Sequence, residues 1–186
     1  MNKRQILFIQ GAGAGTHDAW DKQLVKSLSA ELGNDFGILY PRMPDEGEPN
    51  YFAWKAAILS ELAKLDDGAM VIGHSLGGTI LLNALAEEPS PQKLRGIFIV
   101  AAPFIGPGGW PSDEINSMAD IGSRLIDDTP IHLYHGTLDD IAPISHLDHY
   151  RDAIPNAIVH KLNGRNHQLN NNLAELAKDI PGLVKA

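Results

Sequence analysis

The run Ala69-Met70-Val71-Ile72-Gly73-His74-Ser75-Leu76-Gly77-Gly78, continued by Thr79-Ile80-Leu81-Leu82-Asn83-Ala84-Leu85-Ala86, decides the architecture. Ala69 to Ile72 is apolar without alternation, which predicts a strand covered on both faces. Thr79 to Ala86 is apolar almost all round, as a helix packed behind a central strand must be. Between them, Gly73-His74-Ser75-Leu76-Gly77 fits the pattern Gly-x-Ser-x-Gly. A serine at the tip of so tight a strand-to-helix turn is held in strained backbone geometry. The residues two before and two after it must be small if strand and helix are to approach. Its hydroxyl then stands clear of the sheet, and the N–H of Leu76, at a helix N-terminus, faces a developing oxyanion. A plain glycine turn with a solvent-facing serine is the competing reading. The apolar strand and helix abutting the motif favour the nucleophile.

On either side, short apolar runs alternate with longer helical patterns. Ile6 to Ile9 predicts a first strand, ending in the loop Gly11-Ala12-Gly13-Ala14-Gly15. Thr16 is placed as an N-cap for a helix carrying Trp20, Leu24, Leu28 and Leu32 on one face. Gly37 to Tyr40 predicts a second strand. After a loop rich in Pro, Gly and acid (41–50), a helix presents Trp54, Ile58, Leu62 and Leu65. Gly96 to Val100, Pro130 to Tyr134 and Ala157 to Leu162 predict three more strands, and Asn170 to Lys178 a closing helix. Pro103 to Asp128 is the least regular stretch, with one helix expected around Glu114 to Leu125. Strands alternating with helices predict an α/β fold: a mostly parallel sheet of about six strands with helices on both faces.

The chain has 186 residues, enough for one domain with a substantial core, and 44% of them are apolar. One domain spanning residues 1–186 is therefore expected. The formal net charge of -8 argues against non-specific nucleic-acid binding, since an acidic surface repels phosphates. Cysteine is absent, which excludes disulfides, thiolate zinc sites and cysteine nucleophiles. The apolar run at the N-terminus is too short for a secretory signal, and no stretch approaches the ~18 apolar residues of a membrane span. A cytoplasmic protein without a membrane partner is the expectation.

A serine hydroxyl is a weak nucleophile near neutral pH and needs a base to take its proton. On a sheet bearing such a turn, the acid and then the histidine follow the serine in the chain, on loops after later strands. The fifth strand is followed by His135-Gly136-Thr137-Leu138-Asp139-Asp140-Ile141-Ala142-Pro143, the sixth by Asn163-Gly164-Arg165-Asn166-His167. Asp139, nearest the strand end, is preferred over Asp140 as the acid, and His167 is the candidate base. All fall at the sheet edge where ligands bind in open α/β folds. His74 is assigned to packing or a structural hydrogen bond, and His135 to ordering the acid loop. His132 and His160 lie within strands. His146 and His149, three apart on one helix, have no third ligand nearby and read as a solvated face. The loop 11–15 lacks the third glycine of a dinucleotide fingerprint and the Gly-Lys-Ser/Thr of a phosphate loop. Its better reading is a second oxyanion donor, the backbone N–H of Ala12.

These residues resemble the α/β-hydrolase superfamily over nearly the whole chain. Gly-His-Ser-Leu-Gly-Gly at 73–78 looks like its nucleophile elbow, His-Gly-Thr-Leu-Asp-Asp-Ile-Ala-Pro at 135–143 like its acid loop, and Gly-Arg-Asn-His at 164–167 like its histidine loop. Gln10-Gly11-Ala12, with Thr16 and Trp20, is similar to its oxyanion loop, with Gln10 where His is usual. The short length and Pro41-Arg42-Met43-Pro44-Asp45 followed by Trp54 look like the compact group that includes the retinoblastoma-binding serine hydrolase. The resemblance implies a three-layer fold without a large lid domain. It implies carboxylesterase-like hydrolysis of a small acyl substrate (ester, thioester or amide) through an acyl-enzyme on Ser75, Asp139 and His167, without metal or organic cofactor. Pocket walls are expected from Pro103 to Trp110, from Met43 and from near Ile141, with Trp110 either a wall or a core anchor. Two alternatives stay open: a binding module on a hydrolase fold, and an acyltransferase using the same triad.

Overall fold

The computed structural model describes residues 3–125 and 129–185. Six parallel strands form one sheet in the order β2-β1-β3-β4-β5-β6: β1 Arg4–Ile9, β2 Phe36–Leu39, β3 Met70–His74, β4 Gly96–Val100, β5 Ile131–Gly136 and β6 Ile158–Leu162. Every pairing is parallel, so each crossover needs a return element. The helices supply it: α1 Asp21–Leu32, α2 Tyr51–Leu62, α3 Ser75–Glu87, α4 Ile121–Arg124, α5 Ser145–Ala153 and α6 Ala174–Lys185.

The strands sort their side chains between two apolar layers. Leu7, Ile9, Val71, Ile97, Ile99 and Leu133 meet Trp54 and Ile58 of α2, Ile80 and Leu81 of α3, and Tyr150 of α5. Ile6, Phe8, Met70, Ile72, Phe98 and Val100 meet Leu24 and Leu28 of α1 and Leu176 and Ile180 of α6. Period-two alternation along each strand produces this split, and with both faces covered the strands read as unbroken apolar runs. Because all six strands point one way, the loops after β1, β3, β5 and β6 emerge at a single edge.

Four local expectations are corrected. Trp20 does not share a face with Leu24 and Leu28. It lies in one wide helical turn (Thr16–Trp20) preceding α1 and is 59% exposed, whereas Asp21 takes the inner position. Thr16 does not cap through its side chain; its Oγ1–H donates to the Ala12 carbonyl at 3.1 Å, closing the glycine loop on itself. The closing helix starts at Ala174 rather than Asn170, because Leu169, Asn170 and Asn171 all have positive φ (48°, 55° and 56°). Asparagine tolerates that left-handed region better than most residues. The helix expected over 114–125 shrinks to α4, because Ser112 Oγ accepts the N–H groups of Glu114 and Ile115 and turns the chain instead. Residues 126–128 of that irregular stretch lie outside the described ones.

Candidate active site

Strand β3 ends at His74 and α3 begins at Ser75, so no residue separates them. Ser75 absorbs the reversal with φ 50°, a left-handed conformation costly for a residue with a Cβ. The turn closes only because its flanks are glycine. A Cβ on Gly77 would lie 2.0 Å from the Gln10 carbonyl oxygen, and one on Gly11 would lie 3.0 Å from Ser75 Cβ. The first turn of α3 is thus seated directly on the end of β1 and its loop.

Asp139 and His167 converge on Ser75 from the neighbouring loops. Ser75 Oγ lies 2.9 Å from His167 Nε2, and His167 Nδ1 lies 2.8 Å from Asp139 Oδ2 and 3.0 Å from Oδ1. A carboxylate facing Nδ1 keeps the proton there, which leaves Nε2 to accept the serine O–H. Asp139 is fixed in turn: its Oδ1 accepts the N–H groups of Ile141 and Ala142 at 3.0 and 2.9 Å. His135 orders the acid loop from behind, with Nε2 2.6 Å from the Ala142 carbonyl and 3.1 Å from Asp139 Oδ2. Asp139 is buried while Asp140 is exposed, so Asp139 is the one brought to the histidine.

The two loops are also sewn to each other. Leu138 N–H donates to the Arg165 carbonyl at 2.9 Å, and Gly164 N–H to Thr137 Oγ1 at 2.9 Å. Asn166 and Asn170 exchange side-chain-to-backbone hydrogen bonds of 3.0 and 2.8 Å around His167.

Burial and partners set the charge states. Burial pushes the Asp139 carboxyl up, but the hydrogen bonds from His135 and His167 outweigh it and hold it far below the usual carboxylate range. Burial pushes His167 down; Asp139 opposes this, and the net effect leaves the imidazole below its ordinary pKa. At neutral pH the site therefore holds a carboxylate, a neutral imidazole and a hydroxyl in hydrogen-bonded series.

The glycine loop is braced from outside. Gln10 Oε1 accepts from Met43 N–H at 3.1 Å. Glu46 accepts from Gly15 N–H at 3.0 Å and His17 N–H at 2.9 Å, and Gly13 N–H donates to the Glu46 carbonyl at 2.6 Å. Gln10 therefore ties the end of β1 to the loop 41–50.

Two buried residues at the site escaped sequence reasoning in whole or part. His74 makes the expected structural hydrogen bonds, but to an unexpected partner: its Nδ1 lies 2.9 Å from Asp21 Oδ2, and its Nε2 lies 3.2 Å from the His167 carbonyl oxygen. Asp21 also accepts Gly11 N–H at 2.6 Å. The available signal was a carboxylate standing at the inner position of an otherwise apolar helix face.

The pocket candidates separate. Met43 is 1% exposed and packs in the core with Trp54, because its neighbour Pro44 is pinned by the Trp54 indole N–H. Trp110 is 37% exposed, sits edge-on to His146 and, with Ile105, Pro111 and Ser112, borders a depression of about 340 Å³. Ile141 and Leu138 are exposed beside Asp139. His146 and His149 are not a solvated pair: His146 is buried and accepts Phe104 N–H at 2.8 Å, and His149 meets the Gly108 carbonyl at 3.1 Å. They fasten the loop after β4.

Among the described residues one group has the donor types for a metal: His132, His160 and Asp179, with ligand atoms within 4.8 Å of one another. Tyr134 O–H already donates to Asp179 at 2.6 Å, and buried His132 Nε2 has no partner. A ligating histidine ordinarily donates its other N–H, so the group suits a hydrogen-bonded ladder of stacked rings better.

The family model described as the alpha/beta hydrolase family matches residues 6–180. No curated protein matches the sequence. Among solved structures the chain is similar to the ydeN gene product from B. subtilis, at 18% identity over 99% of this chain and 100% of that one, with a TM-score of 0.71. It is similar to Est1E from Butyrivibrio proteoclasticus, at 15% identity over 100% of this chain and 90% of that one, with a TM-score of 0.70. It is also similar to a meta-cleavage product hydrolase from Pseudomonas fluorescens, at 14% identity over 98% of this chain and 89% of that one, with a TM-score of 0.69. At such identities the likeness is one of fold.

Proposed function

The chain belongs to the alpha/beta hydrolase family, and we propose that it is a serine hydrolase cleaving a small carboxylic ester through an acyl-enzyme. The observation that carries this reading is the unbroken series from Ser75 Oγ to His167 Nε2 (2.9 Å) and from His167 Nδ1 to Asp139 (2.8 Å) at a strained strand-to-helix turn. Ser75 Oγ attacks the acyl carbonyl while His167 Nε2 takes its proton. Asp139 stabilises the imidazolium that results. The N–H groups of Leu76 and Ala12 receive the oxyanion. His167 returns the proton to the leaving alcohol as the C–O bond breaks. Water, deprotonated by His167, then attacks the acyl carbon, and Ser75 leaves with a proton.

Leu138 and Ile141, exposed beside Asp139, offer apolar contact to an acyl chain. Thioesters and amides share the same tetrahedral chemistry and are secondary substrates on this reading. Pro41 to Asp45 followed by Trp54 supports placement with the compact hydrolases that resemble the retinoblastoma-binding serine hydrolase. No helix of the described residues is long and apolar enough to cross a membrane. A cytoplasmic location is part of the same proposal.

A fluorophosphonate probe is expected to label Ser75, and Ser75→Ala to lose about 10⁴-fold or more of the turnover of a short-chain nitrophenyl ester while keeping the fold. Undiminished turnover in that variant removes Ser75 from the reaction.

A further inference from the structure

Behind the serine lies a second histidine–carboxylate pair that the proposed reaction does not consume. His74 is 1% exposed and Asp21 is fully buried. Both nitrogens of His74 face acceptors, the Asp21 carboxylate at 2.9 Å and the His167 carbonyl oxygen at 3.2 Å. A neutral imidazole carries one N–H and would set a lone pair against one of these oxygens. Only the doubly protonated ring satisfies both. Asp21 fits the complementary charge: it accepts Gly11 N–H at 2.6 Å, a donor that favours the carboxylate over the acid. Its Oδ1 has no partner, so a protonated carboxyl would have nowhere to donate. A lone buried carboxylate is costly, and the imidazolium beside it offsets that cost.

We infer that His74 is a positioning residue held as a buried imidazolium, clamped between Asp21 and the backbone of His167, that aligns the base loop with the glycine loop and keeps the His167 ring uncharged. The inference rests on the reading of Ser75, His167 and Asp139 as a triad. Through His74 and Asp21, one hydrogen-bonded path joins the His167 backbone, the nucleophile turn and Gly11, the residue before the Ala12 donor.

Charge acts along the same path. The rings of His74 and His167 are 5.1 Å apart, centre to centre. His167 is faced by His74 from the turn, by Asp139 and His135 from β5 and its loop and, at longer range, by Asp21 from α1; His74 is faced by Asp21 and, at longer range, by Asp139. Burial lowers the His74 pKa, but the Asp21 charge and hydrogen bond outweigh it and raise the net value. Burial likewise lowers His167; Asp139 pulls it up, and the His74 charge pushes it down again.

The full chain, labelled with ¹⁵N-histidine, provides the first test. At about pH 8, where ordinary histidines are neutral, one ring is expected to show two protonated nitrogens. That signal should be missing in the double variant Asp21→Asn/His74→Gln. A neutral His74 at that pH overturns the inference without touching Ser75. The second test follows the rate of fluorophosphonate labelling of Ser75 against pH. In the double variant, which keeps polar groups but no charge, the acid limb is expected to rise by about half a pH unit or more, with a roughly tenfold slower limiting rate. A folded double variant with an unmoved limb overturns the inference. If that variant fails to fold, the nitrogen signals of the unaltered protein decide. Absence of labelling in the unaltered protein counts against the triad reading alone.

Discussion

Replacing Gly77 by alanine tests the seating of the nucleophile turn. The added Cβ would stand 2.0 Å from the Gln10 carbonyl oxygen and 3.0 Å from its carbon and from Ile9 Cγ2. Carbon and oxygen normally pack at roughly 3.3 Å, so the carbonyl and the methyl must separate by more than about 1 Å. The obstacle is backbone, at the end of a central strand, and it cannot rotate away. Overpacking of this kind costs about 1–3 kcal/mol, and the upper end applies where the obstacle is rigid. For a domain of this size that lowers the melting temperature by roughly 6–12 °C. Gln10 precedes Gly11 and Ala12, so the same displacement opens the gap between Ser75 and the loop, and a misplacement near 1 Å costs about 100-fold in rate. Calorimetric melting paired with the rate of fluorophosphonate labelling reads both effects. Gly182→Ala, at a helical site with nothing within 4 Å and no positive φ, is the control and should be neutral or stabilising. A Gly77→Ala protein as stable and as reactive as the unaltered one would refute the seating of α3 on β1.

The other expectations follow from the same geometry. Asp139→Asn should lower turnover by about three to four orders of magnitude by destabilising the correct tautomer, whereas exposed Asp140→Asn should leave nitrophenyl-ester turnover within about twofold; equal effects would contradict the assignment. The acid limb of kcat/KM should lie below about 6.5, because the pKa of His167 is lowered by burial and it must be neutral to act; a limb above that value would contradict the charge states. For stability the sign is the same: a histidine with a lowered folded pKa contributes fully above its unfolded value near 6.5, and that contribution is lost as pH falls through the folded pKa. Titration melting of Ser75→Ala would show it. Trp54→Ala should cost about 3–5 kcal/mol in urea unfolding, because it empties the centre of one apolar layer and frees the Pro44 carbonyl from the indole N–H.

The central motif was legible because its physics is local. A double-faced strand, a serine between small residues and an apolar helix are contiguous, and β3 and α3 stand where 69–86 placed them. That Asp139 rather than Asp140 meets His167 was legible because Asp139 lies closer to the end of β5. Asp21 was not. Spacing by four made Trp20, Leu24, Leu28 and Leu32 look like one face, while the inner face of α1 is Asp21, Leu24 and Leu28. Only the tertiary partner, His74 from 53 residues away, makes a carboxylate acceptable there. Helical spacing at Leu173, Leu176, Ala177 and Ile180 draws the closing helix back to Asn170 in the sequence. The backbone instead puts Leu169, Asn170 and Asn171 at positive φ in the loop that follows His167.

The bracing of the glycine loop by Glu46 has a consequence for how the site can change. The glycine loop beside the serine owes part of its shape to one acidic residue in a segment outside the sheet, about thirty positions downstream. Its hold on Gly13, Gly15 and His17 is polar and reachable from the surface. Alterations confined to 41–50 would therefore reshape the glycine loop while leaving the strands, the Ser75 turn and the His167–Asp139 contact in place, a division of labour that suits a scaffold diversified by loop exchange.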